Sequence, residues 1–191
     1  MSNLEESSIQ TIRVTAVGDE SSDKTPTLLV FKGDPYPEDY EPTIFENYHG
    51  MHIYQGKQFN IHLWDTAGQE EYDRLRPMSY AKTDVILILF ALNDPNSLKN
   101  VTDKWINEVT EYCPNAPIIL IGTKSELWSP EKEGQITQGQ IEEVAKKINA
   151  YKTITCSPRK NENMCDIFEL AIEAYLAQRN SYSLYDYCNI A

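Results

Sequence analysis

The chain has 191 residues, 41% hydrophobic and 24% charged, enough for one domain with its own core. Its 29 acidic against 17 basic residues give a formal charge of −12, which argues against a nucleic-acid backbone or a polybasic membrane patch as partner. No apolar run reaches the roughly 18 residues a membrane span needs, the polar, acidic first ten residues do not read as a secretory signal, and the cysteines (Cys113, Cys156, Cys165, Cys188) form no CxxC pair, so a reducing compartment is expected.

Strand-like and helix-like segments alternate along the chain, the pattern of an α/β domain with a mostly parallel sheet. Residues 11–17 alternate apolar and polar before Gly18 and are predicted to form the first strand. Residues 49–54 and 58–64 flank Gln55-Gly56-Lys57 and read as a hairpin. The apolar runs at 85–92 (VILILFAL) and 118–121 fit central strands buried on both faces. Between them Asp94-Pro95-Asn96 predicts a turn, and Ser97 is expected to cap a helix carrying Leu98, Val101, Trp105, Val109 and Tyr112. A polar helix near 137–149 and a short strand at 152–156 follow. In the last helix Met164, Ile167, Phe168, Ala171, Ile172, Tyr175 and Leu176 form one apolar face and are assigned to the core. Residues 1–8 are expected to be a flexible N-terminus, 9–178 the domain and 179–191 a C-terminal tail.

Two segments carry a family resemblance. Tyr40-Glu41-Pro42-Thr43-Ile44-Phe45-Glu46-Asn47-Tyr48 resembles switch I, the effector loop, of the Rho/Rac family of small GTPases. Trp64-Asp65-Thr66-Ala67-Gly68-Gln69-Glu70-Glu71-Tyr72-Asp73-Arg74-Leu75-Arg76-Pro77 resembles their switch II. The run PNAPIILIGTK at 114–124 continues the likeness, which extends from about Ile9 to Leu176. The resemblance implies a P-loop NTPase-like G domain, with a mostly parallel six-stranded sheet, one antiparallel hairpin strand and helices on both faces. It also implies GTP or GDP with Mg²⁺ as ligands, and effectors and regulators that read the switch surface. By the same resemblance Gly18, Lys24 and Thr25 belong to the phosphate loop, and Thr25, Thr43 and Asp65 to the Mg²⁺. The Gly68 amide would touch the γ-phosphate and Gln69 would orient the attacking water. Tyr36 would lie across the guanine edge, while Thr123, Lys124 and Ser157 would serve the base. Tyr40, Pro42, Ile44, Phe45, Glu46, Asn47 and Tyr48 would form the effector surface.

Several positions depart from the family pattern. The phosphate loop should read G-x-x-x-x-G-K-[ST], and here it reads Gly18-Asp19-Glu20-Ser21-Ser22-Asp23-Lys24-Thr25. Asp23 sets a carboxylate and a side chain where backbone N–H groups should approach phosphate; alternatively it turns outward as a helix N-cap. Pro26 has no N–H to give the α-phosphate, although a proline is comfortable in a first helical turn. Glu126 stands where the family's base-reading aspartate should be, and Pro158 removes the donor of the C-S-A loop. Glu20 replaces a glycine beside the γ-phosphate and is expected to displace Gln69. Lost bonds and added repulsion at Asp23, Pro26 and Pro158 suggest a deficit of about 6–8 kcal/mol in nucleotide binding.

Only nine residues separate Glu126 from Ile136, too few for the extra helix of most Rho relatives. The end Cys188-Asn189-Ile190-Ala191 fits a C-a-a-X prenylation box, or is an ordinary terminal cysteine. A single prenyl chain without a basic cluster would anchor weakly. The expected location is therefore the cytoplasm and, with a prenyl group attached, the cytoplasmic face of the plasma membrane. Two functions compete. One is an interaction module whose switch-like loops bind effectors or regulators, with nucleotide binding weak or lost and hydrolysis impaired. The other is a working GTP/GDP switch with slow hydrolysis, acting on the actin cytoskeleton as Rho relatives do.

Overall fold

Strand β4 (Val85–Ala91) is buried at every residue, as its unbroken apolar sequence requires of a strand covered on both faces. It lies near the middle of a six-stranded sheet in the computed structural model, which describes residues 9–39 and 43–188, side chains included as far as residue 180. The other strands are β1 (Gln10–Gly18), β2 (Phe45–Tyr54), β3 (Lys57–Thr66), β5 (Ile118–Thr123) and β6 (Lys152–Thr155). Their order is β2-β3-β1-β4-β5-β6, parallel throughout except for the antiparallel pair β2/β3. The sheet class expected from the sequence is therefore the one formed.

The hairpin turn is Gln55-Gly56, both at positive φ (48° and 73°), the two-residue turn whose twist matches its flanking strands. Lys57, grouped with the turn in the sequence reading, already pairs with Tyr54 as the first residue of β3.

Helices α1 (Lys24–Lys32) and α5 (Met164–Cys188) cover one face, where Ile12, Val14, Leu28, Ile61, Leu63, Ile167 and Phe168 pack together. Helices α2 (Pro95–Asn100), α3 (Ile106–Tyr112) and α4 (Gln138–Lys147) cover the other, over Val17, Ile86, Ile88, Phe90 and Leu120. Each aliphatic side chain so buried contributes about 1.5–3 kcal/mol. The cap of α2 is Asp94, whose side chain accepts from Asn96 N at 3.0 Å, and not Ser97. Ser97 lies inside the first turn, with its buried hydroxyl tied to the end of β4 through Ala91 N (2.9 Å).

Between α2 and α3, residues Val101–Trp105 form a π turn. Leu98, Val101, Trp105 and Val109 are buried as predicted, but Tyr112 is 45% exposed and stacks on Tyr80 instead. Thr137 and Gln140 form a capping box at the start of α4. The expected core face of α5 is buried apart from Leu176, which is half-buried, and the helix runs past the expected boundary at residue 178. Residues 128–137 are turn and loop, closed by Trp128 Nε1 donating to Ile136 O at 2.7 Å. Among the described residues no helix is long and apolar enough to cross a membrane.

Candidate functional site

The chain adds β2 and β3 on one side of β1, and β4, β5 and β6 on the other. Connections therefore diverge at the carboxyl end of β1, the place where open α/β sheets form a crevice. The loop 18–25 lies there, and its backbone is cross-tied to the neighbouring strand end: Thr123 Oγ1 is 3.1 Å from both Ser22 O and Phe90 O.

Lys24 does not reach outward. Its buried Nζ donates to Gly18 O and Asp19 O, both at 2.8 Å, so the ammonium fills the ring made by its own loop. Burial lowers its pKa to about 8, against the pull of Asp65 and Asp19. Asp19 in turn accepts from Asn100 Nδ2 and Trp105 Nε1, each at 2.7 Å, which fastens the loop to the helix across the crevice.

Asp23 precedes α1 in a left-handed conformation (φ 51°), costly for a residue with a side chain. It makes no capping hydrogen bond. Its carboxylate, 13% exposed, lies 3.4 Å from Lys124 Nζ and points into the crevice rather than outward. Burial raises its pKa, Lys124 and the Tyr36 hydroxyl pull it down, and Glu126 adds to the rise. Pro26 is buried in the first turn of α1. With Tyr36, Lys124 and Arg159 these residues bound a cavity of about 590 Å³. Arg159, which the sequence reading did not single out, covers the Tyr36 ring at 4.5 Å. Its only sequence signal is its position beside Pro158.

Glu126 has one buried carboxylate oxygen, Oε2, without a hydrogen-bond partner. Ser157 and Pro158 are both buried; the Ser157 hydroxyl accepts from Lys160 N at 3.1 Å.

Thr25, Thr43 and Asp65 meet. Thr25 Oγ1 donates to Asp65 Oδ2 at 2.5 Å and lies 2.8 Å from Thr43 Oγ1. The second Asp65 oxygen, Oδ1, is buried without a partner, and burial lifts the carboxyl to about 6 despite the Thr25 bond. Two hydroxyls beside an unsatisfied carboxylate suit a hard, oxygen-seeking cation such as Mg²⁺, so the donor set fits that ion.

The segment after β3 is locked against the loop after β1. A Cβ at Gly68 would come within 3 Å of Glu20 N, Asp19 C and Gly18 O, so only glycine allows this approach. Gln69 Nε2 donates to Glu20 Oε1 at 2.7 Å. Arg76, another residue the sequence reading left without a role, is almost wholly buried and holds this segment together. It donates to Ala67 O (3.0 Å), Gln69 O (3.3 Å), Asp73 and Glu108, and its guanidinium lies over Trp105. Glu108 also accepts from the Tyr80 hydroxyl at 2.6 Å.

Of the expected effector surface, Tyr40 and Pro42 lie outside the described residues. Ile44 and Phe45 are 53% and 40% exposed, and Asn47 shares their open side of the sheet. With Trp64, Tyr72, Leu75 and Met78, Ile44 and Phe45 border a mostly apolar cavity of about 390 Å³. Strand alternation turns Tyr48 the other way, a correction to its expected place on this surface. It is buried against the core, with its hydroxyl donating to Glu46 Oε2 at 2.5 Å. Cys188 ends α5, and the three residues after it lie outside the described ones.

Residues 13–177 match the family model described as Ras family. Over 176 residues the chain is 43% identical to the Rho-related GTP-binding protein RhoB of Homo sapiens, and equally to those of Mus musculus and Rattus norvegicus. Each match covers 87% of this chain and 90% of the relative.

Proposed function

The chain belongs to the Ras family and within it to the Rho-type small GTPases, and from that premise we propose a signalling protein that presents its switch surface while holding guanine nucleotide weakly or not at all. The observation that carries this reading is Asp23, a partly buried carboxylate at the mouth of α1 paired with Lys124 where a polyanionic ligand needs N–H donors and free cations. Pro26, which lines the crevice, and Pro158, next to Arg159 that lines it, each lack a backbone N–H donor. Lys24 is turned onto carbonyls of its own loop and must be drawn off them before it can serve a phosphate. Glu20 keeps Gln69 from a water-orienting role, so hydrolysis is slow in whatever fraction is loaded.

The test is to denature the purified protein and run the extract on an ion-exchange column. Little or no GDP or GTP is expected. Near-stoichiometric nucleotide would end the proposal.

One observation favours a second reading, a working GTP/GDP switch with slow hydrolysis: Thr25, Thr43 and Asp65 still converge as a Mg²⁺ set. In that reading these three would hold the ion, which would neutralise phosphate charge, while Lys24 would bind phosphate and Lys124 would border the base. In both readings effectors and regulators dock on Ile44, Phe45 and the segment after β3. Membrane attachment, through prenylation of Cys188, is weak and reversible.

A further inference from the structure

The histidines at 49 and 62 face each other on the open side of the β2/β3 ladder, away from the nucleotide crevice. They are directly opposed in register, His49 on β2 and His62 on β3, with ring centres 4.2 Å apart and ring planes at 88°. His49 is exposed and His62 half-buried, so an ion from solvent can reach the pair. We propose that this cross-strand histidine pair is a site for a tetragonal divalent transition-metal ion, Cu²⁺ above all.

Geometry selects the ion. A metal about 2.0–2.1 Å from an imidazole nitrogen lies roughly 3 Å from the ring centre. Two ring centres 4.2 Å apart then subtend about 80–90° at a shared ion. That is the cis angle of tetragonal Cu²⁺ or Ni²⁺, and it is well short of the tetrahedral angle zinc prefers. Imidazole nitrogen suits both ions, and Cu²⁺ stands highest in the affinity order of the divalent series.

The surroundings prepare the ligands. Asn60, on the same strand as His62, places its side-chain amide 2.9 Å from His62 Nε2. With the amide turned so that its oxygen accepts from Nε2–H, the Nδ1 lone pair is free for metal, the outer-shell arrangement common to metal-bound histidine. Partial burial, His49 and Arg13 all lower the His62 pKa, which keeps that ring neutral and able to ligate at physiological pH. Arg13, which acts on His62, opposes a dication, but its charge is engaged elsewhere. Its guanidinium stacks on Trp64 at 3.5 Å and donates to Ser79 O at 3.0 Å. Water fills the remaining coordination positions.

The experiment uses the full chain in metal-free buffer, titrated with Cu²⁺ and read by electron paramagnetic resonance and by competition with a chromogenic chelator. A single tetragonal centre with two coupled imidazole nitrogens is expected, with Ni²⁺ bound more tightly than Zn²⁺. His49→Gln and His62→Gln should each remove one nitrogen and weaken Cu²⁺ at least tenfold, while His52→Gln, on the opposite side of β2, should change nothing. Circular dichroism verifies that each variant is folded. Unchanged Cu²⁺ affinity in both single variants, a one-nitrogen spectrum in the unmodified chain, or Zn²⁺ binding above Ni²⁺ would overturn the proposal.

Discussion

Gln69 donates its side-chain amide to the carboxylate of Glu20 at 2.7 Å, a bond that joins the loop after β1 to the segment after β3. The first prediction follows from it. Glu20→Gly should release Gln69 and raise single-turnover GTP hydrolysis, in protein loaded at millimolar nucleotide, by about tenfold, a barrier change of roughly 1.4 kcal/mol. Nucleotide affinity should move much less. An unchanged rate would show that Glu20 does not restrain the glutamine.

Asp23→Gly removes a carboxylate that lines the crevice and gives the left-handed position the residue that occupies it freely. Two like charges about 4 Å apart repel by roughly 4 kcal/mol at an effective dielectric near 20. Affinity for a fluorescent guanine nucleotide in Mg²⁺ should therefore rise by about a thousandfold. Pro26→Cys, Glu126→Asp and Pro158→Ala should add smaller gains on top. If the quadruple variant stays folded and binds no better than the unmodified chain, the lesion has been misplaced.

Arg76→Ala should lower stability by about 3 kcal/mol, because it leaves the partly buried Glu108 without its cation and takes a donor from Ala67 O. Chemical denaturation measures this directly. Arg76→Lys should recover only part of the loss, since one ammonium cannot meet four acceptor groups in the guanidinium's plane. A loss below about 0.5 kcal/mol, the range of ordinary surface substitutions, would contradict the central place given to this residue.

Thiol labelling at pH 8 should separate the cysteines. Burial pushes Cys156 up to about 12, so it holds almost no thiolate at that pH; burial also raises Cys113, whereas Cys165 is exposed. Peptide mapping after iodoacetamide should find Cys165 modified quickly, and Cys156 and Cys113 only after unfolding. Fast modification of Cys156 in the native protein would mean that the β6–α5 connection opens readily.

Cys188→Ser should shift any membrane-associated fraction into the soluble one, when the protein is made in a host able to prenylate it. The intact mass of the unmodified protein reports the lipid itself. An unprocessed mass, or an unmoved distribution, would remove prenylation from the account.

Strand and helix identities were legible because each rests on a local pattern: unbroken VILILFA, rich in β-branched residues, reads as a doubly covered strand, and Gln55-Gly56 reads as a tight turn between two strands. The site was half legible. Thr25, Thr43 and Asp65 are 18 and 22 residues apart along the chain, and only the family resemblance, not any spacing rule, gathers them. The side-chain destinations were not legible at all. Nothing in the sequence says that Lys24 would curl onto Gly18 O, or that Asp19 would reach Trp105, because those partners are fixed by packing across the crevice. Ser97 and Asp94 are both good capping residues; which of them caps depends on where the strand before them stops. Tyr48 was misread for a simpler reason, that a contiguous motif was treated as one surface although a strand presents alternate residues to opposite sides.

The π turn at Val101–Trp105 gives its helix one residue more than an unbroken α-helix would need to span the same length. An α-helix advances about 100° per residue, so everything after the turn is rotated by about that angle against everything before it. At the end of that turn the Trp105 indole meets the Asp19 carboxylate and lies under the Arg76 guanidinium. Deleting one residue of this stretch ahead of Trp105 would leave an ordinary, well-formed helix. It would also swing the indole away from both partners, so the segment is free to shorten as a helix and not free to shorten as a joint.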